Sequence, residues 1–389
     1  MKLVVVGLGQ CGGRIADQFA WLNMKARGER RFDLISSIIA VNTDMADLSG
    51  LKHIKPDKKH RILIGAQKSG GHGVGKINEL GAQVAREDAD VVLEAMTASQ
   101  QFPEADAFLL IAGAAGGTGS GSIPVLTQVL KERFPQKPVY DLIVLPFRSE
   151  ELTEKRVVYN VATCLKSAYL VADAVLLVDN QNYYRGNSPI NRALFDINKA
   201  VVEPFYNLLS AGEEKISDFV GGKTLDAGDI IQTLSGWAVL GHGQAEVPRH
   251  CFFKRRDFRT EAIENHPGML ALERSVSGLS LRCNPEDAKK GLYLISAPAA
   301  EMSMELFKEV GARLRSLAPD AIIRSGDYPR QKGAVEVTII LAELLRLDKL
   351  TDYFKRAIEF IYTTQRGQEN IDQKHREFGD LFGEIPSLI

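Results

Sequence analysis

Cysteine is scarce. The chain has four in 389 residues. Cys11, Cys164, Cys251 and Cys283 stand far apart, which excludes a disulfide-stapled scaffold and any CxxC-type metal or redox centre. That usage fits a reducing, cytoplasmic compartment. Surplus charge of either sign is also missing. Lys plus Arg (48) and Asp plus Glu (49) leave a net charge of −1, so there is neither the basic footprint of a nucleic-acid binder nor a polyanionic tail. No apolar run approaches the roughly 20 residues that cross a bilayer, and Met1-Lys-Leu-Val-Val-Val-Gly7 has too short an apolar stretch for a secretory leader. The seven histidines are scattered and suggest no metal cluster. No internal repeat or low-complexity segment is present. What remains is a globular chain, 45% hydrophobic, with enough length to bury two cores.

Glycine is what the sequence has in the right places. Gly113-Ala-Ala115-Gly116-Gly117-Thr118-Gly119-Ser120-Gly121 follows the apolar run Ala107-Phe-Leu-Leu-Ile-Ala112 and precedes helical spacing from Ile123 to Lys131. A buried strand that breaks into glycines and then opens a helix turns free backbone N–H groups toward the positive end of a helix dipole, a cradle for phosphate. Thr118 and Ser120 add hydroxyl donors. Gly7-Leu-Gly9-Gln10-Cys11-Gly12-Gly13-Arg14 repeats the pattern after Lys2-Leu-Val-Val-Val, and Ser69-Gly-Gly71-His72-Gly73-Val-Gly75 is a third glycine loop. Surface exposure accounts for His72 as well as a phosphate contact does.

Apolar strand runs end in Asn42-Thr-Asp44, Gly113, Pro146 and Asp179-Asn180, and helical periodicity fills the intervals. Alternation of this kind predicts right-handed crossovers and a parallel sheet with helices on both faces. Ligands bind such sheets beyond the carboxyl ends of the strands, where all these turns fall. The expected fold is α/β: a parallel-sheet, Rossmann-like nucleotide domain over residues 1–189, a long linking helix and loop over 190–222, a smaller mixed α/β domain over 223–367, and a short, loosely held tail over 368–389. Pro204 predicts a kink or break in the linking helix. Lys254-Arg255-Arg256 reads as a solvated loop, with room for a membrane or partner contact.

Gly7-x-Gly9-x-x-Gly12 matches a dinucleotide fingerprint, making a nicotinamide-dependent oxidoreductase the rival reading. That reading needs an acidic residue about twenty positions on. The second strand ends instead in Asn42-Thr-Asp44, about thirty on, and the glycines at 113–121 stay unexplained. Three phosphate-type loops at one edge fit a nucleoside triphosphate better. No Gly-x-x-x-x-Gly-Lys-Ser/Thr run marks a P-loop.

Gly116-Gly-Thr-Gly-Ser-Gly121 resembles the signature loop shared by tubulin and FtsZ. Gly9-Gln-Cys-Gly12 is similar to the first nucleotide loop of tubulin, and Val41-Asn-Thr-Asp44 to the second loop of FtsZ. Val157-Val-Tyr-Asn160, with Ala172-Asp173 and Asp179-Asn180, resembles the tubulin segment ending at a guanine-binding asparagine. Met1 to Gly13, Gly71-His-Gly-Val-Gly75 with Asn78-Glu-Leu-Gly81, and Gly326-Asp-Tyr-Pro329 resemble the CetZ group, the archaeal tubulin-like branch.

The resemblance implies GTP or GDP as ligand, with Mg2+ held mainly through the phosphates. Residues 10–14 and 116–121 would hold the phosphates, and residues 71–75 the γ-phosphate side. Asn180 and Asn198 would meet guanine, which an amide can offer both donor and acceptor. Glu150 or Glu154 would contact ribose; counting from Pro146 favours the first, counting from Asn160 the second. Asp226 and Asp229, in Thr224-Leu-Asp-Ala-Gly-Asp229, fall where these families insert acids into the neighbouring subunit's pocket. On residue type alone they are helix caps. Thr224 replaces the asparagine usual in FtsZ. The implied function is a cytoskeletal GTPase of cell shape that assembles head-to-tail with itself and hydrolyses GTP at the subunit interface. A nucleotide-gated adaptor that never polymerises is the alternative.

Overall fold

The computed structural model describes the chain except residues 185–188, 215, 217–219, 248–266, 331–332, 366–382 and 384. Cys251, Lys254-Arg255-Arg256 and most of residues 368–389 therefore lie outside the described residues. Ten strands form one sheet: β1 (Leu3–Leu8), β2 (Ile35–Asn42), β3 (Arg61–Leu63), β4 (Ala107–Gly113), β5 (Val139–Leu145), β6 (Ala174–Asp179), β7 (Gly236–Ala245), β8 (Lys290–Pro298), β9 (Ile322–Arg330) and β10 (Val335–Ala342). Between them run α1 (Gly9–Arg30), α2 (Met45–Ser49), α3 (Ala66–Ser69), α4 (Asn78–Glu87), α5 (Ala89–Thr97), α6 (Thr118–Arg133), α7 (Arg148–Thr153), α8 (Lys155–Val171), α9 (Asn180–Tyr183), α10 (Ile190–Ser210), α11 (Ala227–Thr233), α12 (Pro267–Ser277), α13 (Met304–Leu317) and α14 (Asp348–Gln365).

Sheet order is β3-β2-β1-β4-β5-β6-β7-β10-β8-β9. Pairing is parallel from β3 through β7, antiparallel on both sides of β10, and parallel again between β8 and β9. The chain leaves β1 toward β2 on one side and returns to β4 on the other, so the topological switch lies between β1 and β4.

Period-two alternation divides the core. Val4, Val6 and Leu8 face one apolar cluster with Val84, Leu126 and Val161. Leu3 and Val5 face the other, with Phe19, Phe205 and Leu208. Burial on both faces explains why β1 and β4 read as unbroken apolar runs.

The structure departs from expectation in two places and adds one strand for which no expectation was stated. First, α10 runs unbroken through Pro204. One lost backbone hydrogen bond is outweighed by Val201, Val202, Phe205, Tyr206, Leu208 and Leu209, all buried in the second cluster. The added strand is β9, which holds Gly326-Asp-Tyr-Pro329 and has no alternating apolar residues. Proline is tolerated there because β9 pairs on one side with β8 and is the sheet's edge. Second, the far end of the expected loose tail is docked, with Ile385 and Leu388 buried in the first cluster.

Candidate functional site

The turns after β1 and β4 interlock because their glycines leave room for backbone. A Cβ on Gly12 would sit 1.9 Å from the Ile111 carbonyl oxygen, and one on Gly119 2.8 Å from that of Leu8. Gly9 also holds φ +67°, so glycine is required there twice over. α1 and α6 both open in this knot. No described side chain caps either helix, and neither has an acid in its first turn. Their leading N–H groups therefore stay free at two positive dipole ends, the condition for binding an anion.

A cleft of about 850 Å³ opens over these turns. Its lining brings together Gly9, Gln10, Cys11, Arg14, Asn42, Asp44, Gly73, Gly113, Ala115, Gly116, Gly117, Thr118, Gly119, Glu150, Asn180 and Asn198. Gly12, Gly13 and Gly121 are buried behind it. Ser120 is buried too, and its hydroxyl donates to the Gly116 carbonyl oxygen. Thr118 Oγ1 lies 2.6 Å from Thr43 Oγ1. Gly71 and the exposed His72 sit outside the lining, on the turn whose Gly71 carbonyl accepts the Met45 N–H at 3.0 Å.

Several wall residues are held by one another. Asn42 Nδ2 donates to Asp47 Oδ2 at 3.1 Å, and Gln10 Nε2 donates to Asp47 Oδ1 at 2.6 Å. Asp44 caps α2 by accepting the N–H groups of Ala46 and Asp47. Burial and the nearby Glu150 carboxylate push the Cys11 thiol up to about 12, so it stays protonated and unreactive near neutral pH. Glu150 accepts the Phe147 N–H at 3.1 Å. Glu154 stands off the lining and pairs with Lys76 at 2.6 Å.

Lys76, Asp47, Phe147 and Tyr184 also line the cleft and carried no sequence signal of a role there. Lys76 is a non-glycine residue at φ +60°. Asn160 compensates by locking that turn: its Nδ2 donates to the carbonyls of Lys76 (2.9 Å), Ala115 (3.0 Å) and Gly116 (3.2 Å). Phe147 and Tyr184 meet edge-on, with ring centroids 5.8 Å apart. The one pointer to Asn160 was its place in Val-Val-Tyr-Asn.

Asp226 and Asp229 are elsewhere. They precede β7, whose Gly236 pairs with Ala174 at the start of β6, so they lie at the amino edge of the sheet. The cleft is at the carboxyl edge, a strand length of about 20 Å away. Asp226 caps α11 by accepting the Asp229 N–H at 2.8 Å. Asp229 pairs with Arg324 Nε at 3.2 Å. Among the described residues no group of three or more His, Cys, Asp or Glu could hold a metal, and no helix is long and apolar enough to cross a membrane.

Comparison with known proteins places the chain in a family. Residues 2–187 match the family model described as the Tubulin/FtsZ family, GTPase domain, and residues 187–359 the one described as Tubulin-like CetZ, C-terminal domain. The chain is 31% identical over 390 residues to tubulin-like protein CetZ1 of Haloferax volcanii, covering 96% of this chain and 94% of that one. It is 30% identical over 377 residues to tubulin-like protein CetZ of Pyrococcus furiosus, with 95% and 93% covered. Among solved structures, a GTPγS-bound protofilament of CetZ2 from Haloferax volcanii superposes with TM-score 0.80 at 28% identity, covering 94% of this chain and 100% of that one. A GDP-bound monomer of CetZ1 from the same organism gives 0.78 at 29% identity, with 93% and 100% covered.

Proposed function

The chain belongs to the tubulin/FtsZ family of GTPases, in its CetZ group, and from that membership we propose a cytoskeletal GTPase that stacks head-to-tail and completes its active site between copies. The N–H groups opening α1 and α6 hold the phosphates, with Arg14 as the cation at the rim. Mg2+ enters through the phosphates. Glu150 takes the ribose, since Glu154 is engaged by Lys76. Asn180 and Asn198 meet the guanine edge, and the Phe147–Tyr184 pair walls the base end. Residues 1–189 form the nucleotide domain, 190–222 the link, 223–367 the second domain and 368–389 the tail, and the expected role is control of cell shape.

One observation carries the reading: the acids and the cleft occupy opposite edges of a single sheet. A carboxylate about 20 Å from the phosphates cannot orient water in its own subunit. It can do so for the next subunit in a stack, because a heterologous contact that does not close repeats indefinitely. Orienting water and neutralising charge are the main contributions a protein makes to phosphoryl transfer. Asp226 caps α11 and Asp229 is aimed by Arg324, so Asp229 is the acid tested first.

The test is GTP turnover as protein concentration rises. Turnover per molecule increases with concentration, and Asp229→Ala keeps GTP binding while lowering turnover about 100-fold or more, as loss of a water-positioning group does. Turnover independent of concentration contradicts a shared site, and loss of binding places Asp229 in a local role.

A further inference from the structure

Residues 385–389, Ile-Pro-Ser-Leu-Ile, sit on the nucleotide-binding half of the molecule. Ile385 is 1% exposed and Leu388 9%, while the residues between them face outward. Polar contacts fix the backbone. The Leu388 N–H donates to Ser167 Oγ at 2.8 Å in a buried contact, and Arg86 Nη2 donates to the Leu388 carbonyl at 2.9 Å. Lys166 Nζ donates to the Ile385 carbonyl. Arg86 is on α4; Lys166 and Ser167 are on α8. The segment bridges these two helices.

Both helices hold the cleft at their other ends. α4 opens at Asn78, just after the left-handed Lys76 turn, and Asn78 Nδ2 donates to Thr163 Oγ1 of α8 at 2.7 Å. Gly81 of α4 lies so close to the signature loop that a Cβ there would sit 2.3 Å from the Gly117 carbonyl oxygen. α8 supplies Asn160, the amide that gathers the Lys76, Ala115 and Gly116 carbonyls. The ten residues of α4 span about 15 Å between clasp and cleft.

We propose that residues 385–389 are a detachable clamp on the nucleotide cleft, taking the α4–α8 groove as a peptide ligand. Seated, the segment fixes the spacing of the two helices and slows nucleotide release; lifted, it loosens both loops. Two anchoring side chains and three hydrogen bonds, without strand pairing, make it a small unit that can open without unfolding the sheet. The inference rests on the cleft holding guanine nucleotide.

The experiment loads a fluorescent GDP analogue onto the intact chain and onto a chain lacking residues 385–389. Release from the shortened chain is about tenfold faster, within the usual range of coupling between sites. The free peptide Ile-Pro-Ser-Leu-Ile, added at about millimolar concentration so that even a weak affinity fills the groove, slows it again. Leu388→Ala in the full chain gives a smaller acceleration and serves if the shortened chain does not fold. Release within about twofold of the intact chain, well below ordinary coupling, overturns the clamp alone, as does a peptide that binds without slowing release. An intact chain that holds no guanine nucleotide overturns the clamp together with the nucleotide reading.

Discussion

Asp141 is a carboxyl group closed off from bulk solvent. It lies in β5, fully buried, accepting from Thr127 Oγ1 at 2.7 Å, and its other oxygen finds no partner among the described residues. Burial holds its pKa well above the usual carboxylate range. The folded state therefore binds a proton that the unfolded chain, titrating near the ordinary carboxyl value of about 3.9, has given up. Stability from this group is full below that value and is lost as pH rises through the folded pKa. Asp141→Asn keeps the Thr127 bond and replaces a carboxyl that must take up a proton on folding with a group that is neutral at every pH. Thermal melts are expected to show a higher Tm for the variant near neutral pH, with the advantage shrinking toward pH 4. An equal Tm difference at every pH contradicts this account. The residue scale is also where sequence reading was weakest. Cys11 stands in a motif and Glu150 was reached by counting from Pro146, whereas Asn160 and Lys76 matter through the carbonyls and turns they meet in three dimensions.

Elements were more legible than their contacts. β1–α1 and β4–α6 showed themselves because apolar runs buried on both faces stop at glycines, although the helices open inside those glycine runs, at Gly9 and Thr118, rather than after them. α10 was visible from its periodicity, although Pro204 argued for a break that the packing of Phe205 and Leu208 overrides. β9 escaped because an edge strand with Arg324, Asp327 and Pro329 has no alternation to read. The buried pair Ile385 and Leu388 escaped for a similar reason: two apolar residues three apart make no pattern. α4 and α6 meet more closely than sequence could suggest. A Cβ on Gly121 would lie 2.1 Å from the Asn78 carbonyl oxygen and 2.6 Å from Ala82 N. Gly121→Ala must push the helices apart, and a loss of about 3 kcal/mol is expected, at the upper end of overpacking costs. Denaturant midpoints measure it; an unchanged midpoint means that the helices shift freely.

At the scale of the whole molecule, the acids' position connects the two halves of the chain. Asp229 belongs to α11, but the guanidinium that aims it comes from β9, about a hundred residues later, and Arg324 also donates to Gln232. Arg324→Gln is expected to lower GTP turnover of the assembled protein about tenfold while pelleting with GTP persists. Added to Asp229→Ala it should cost nothing more, since groups acting as one unit are non-additive. Full additivity in the double variant would show that Arg324 acts on something other than Asp229. Where the halves join, β6 and β7 share three paired positions, Ala174 with Gly236, Val175 with Trp237 and Leu176 with Ala238, against six or more in each of the other long parallel ladders. Side chains make up what so short a seam lacks: Tyr353 and Arg356 of α14 hold Glu151, and Lys349 holds Asp179. A load passed along a stack of such subunits would therefore cross this joint through α14 as well as through the sheet.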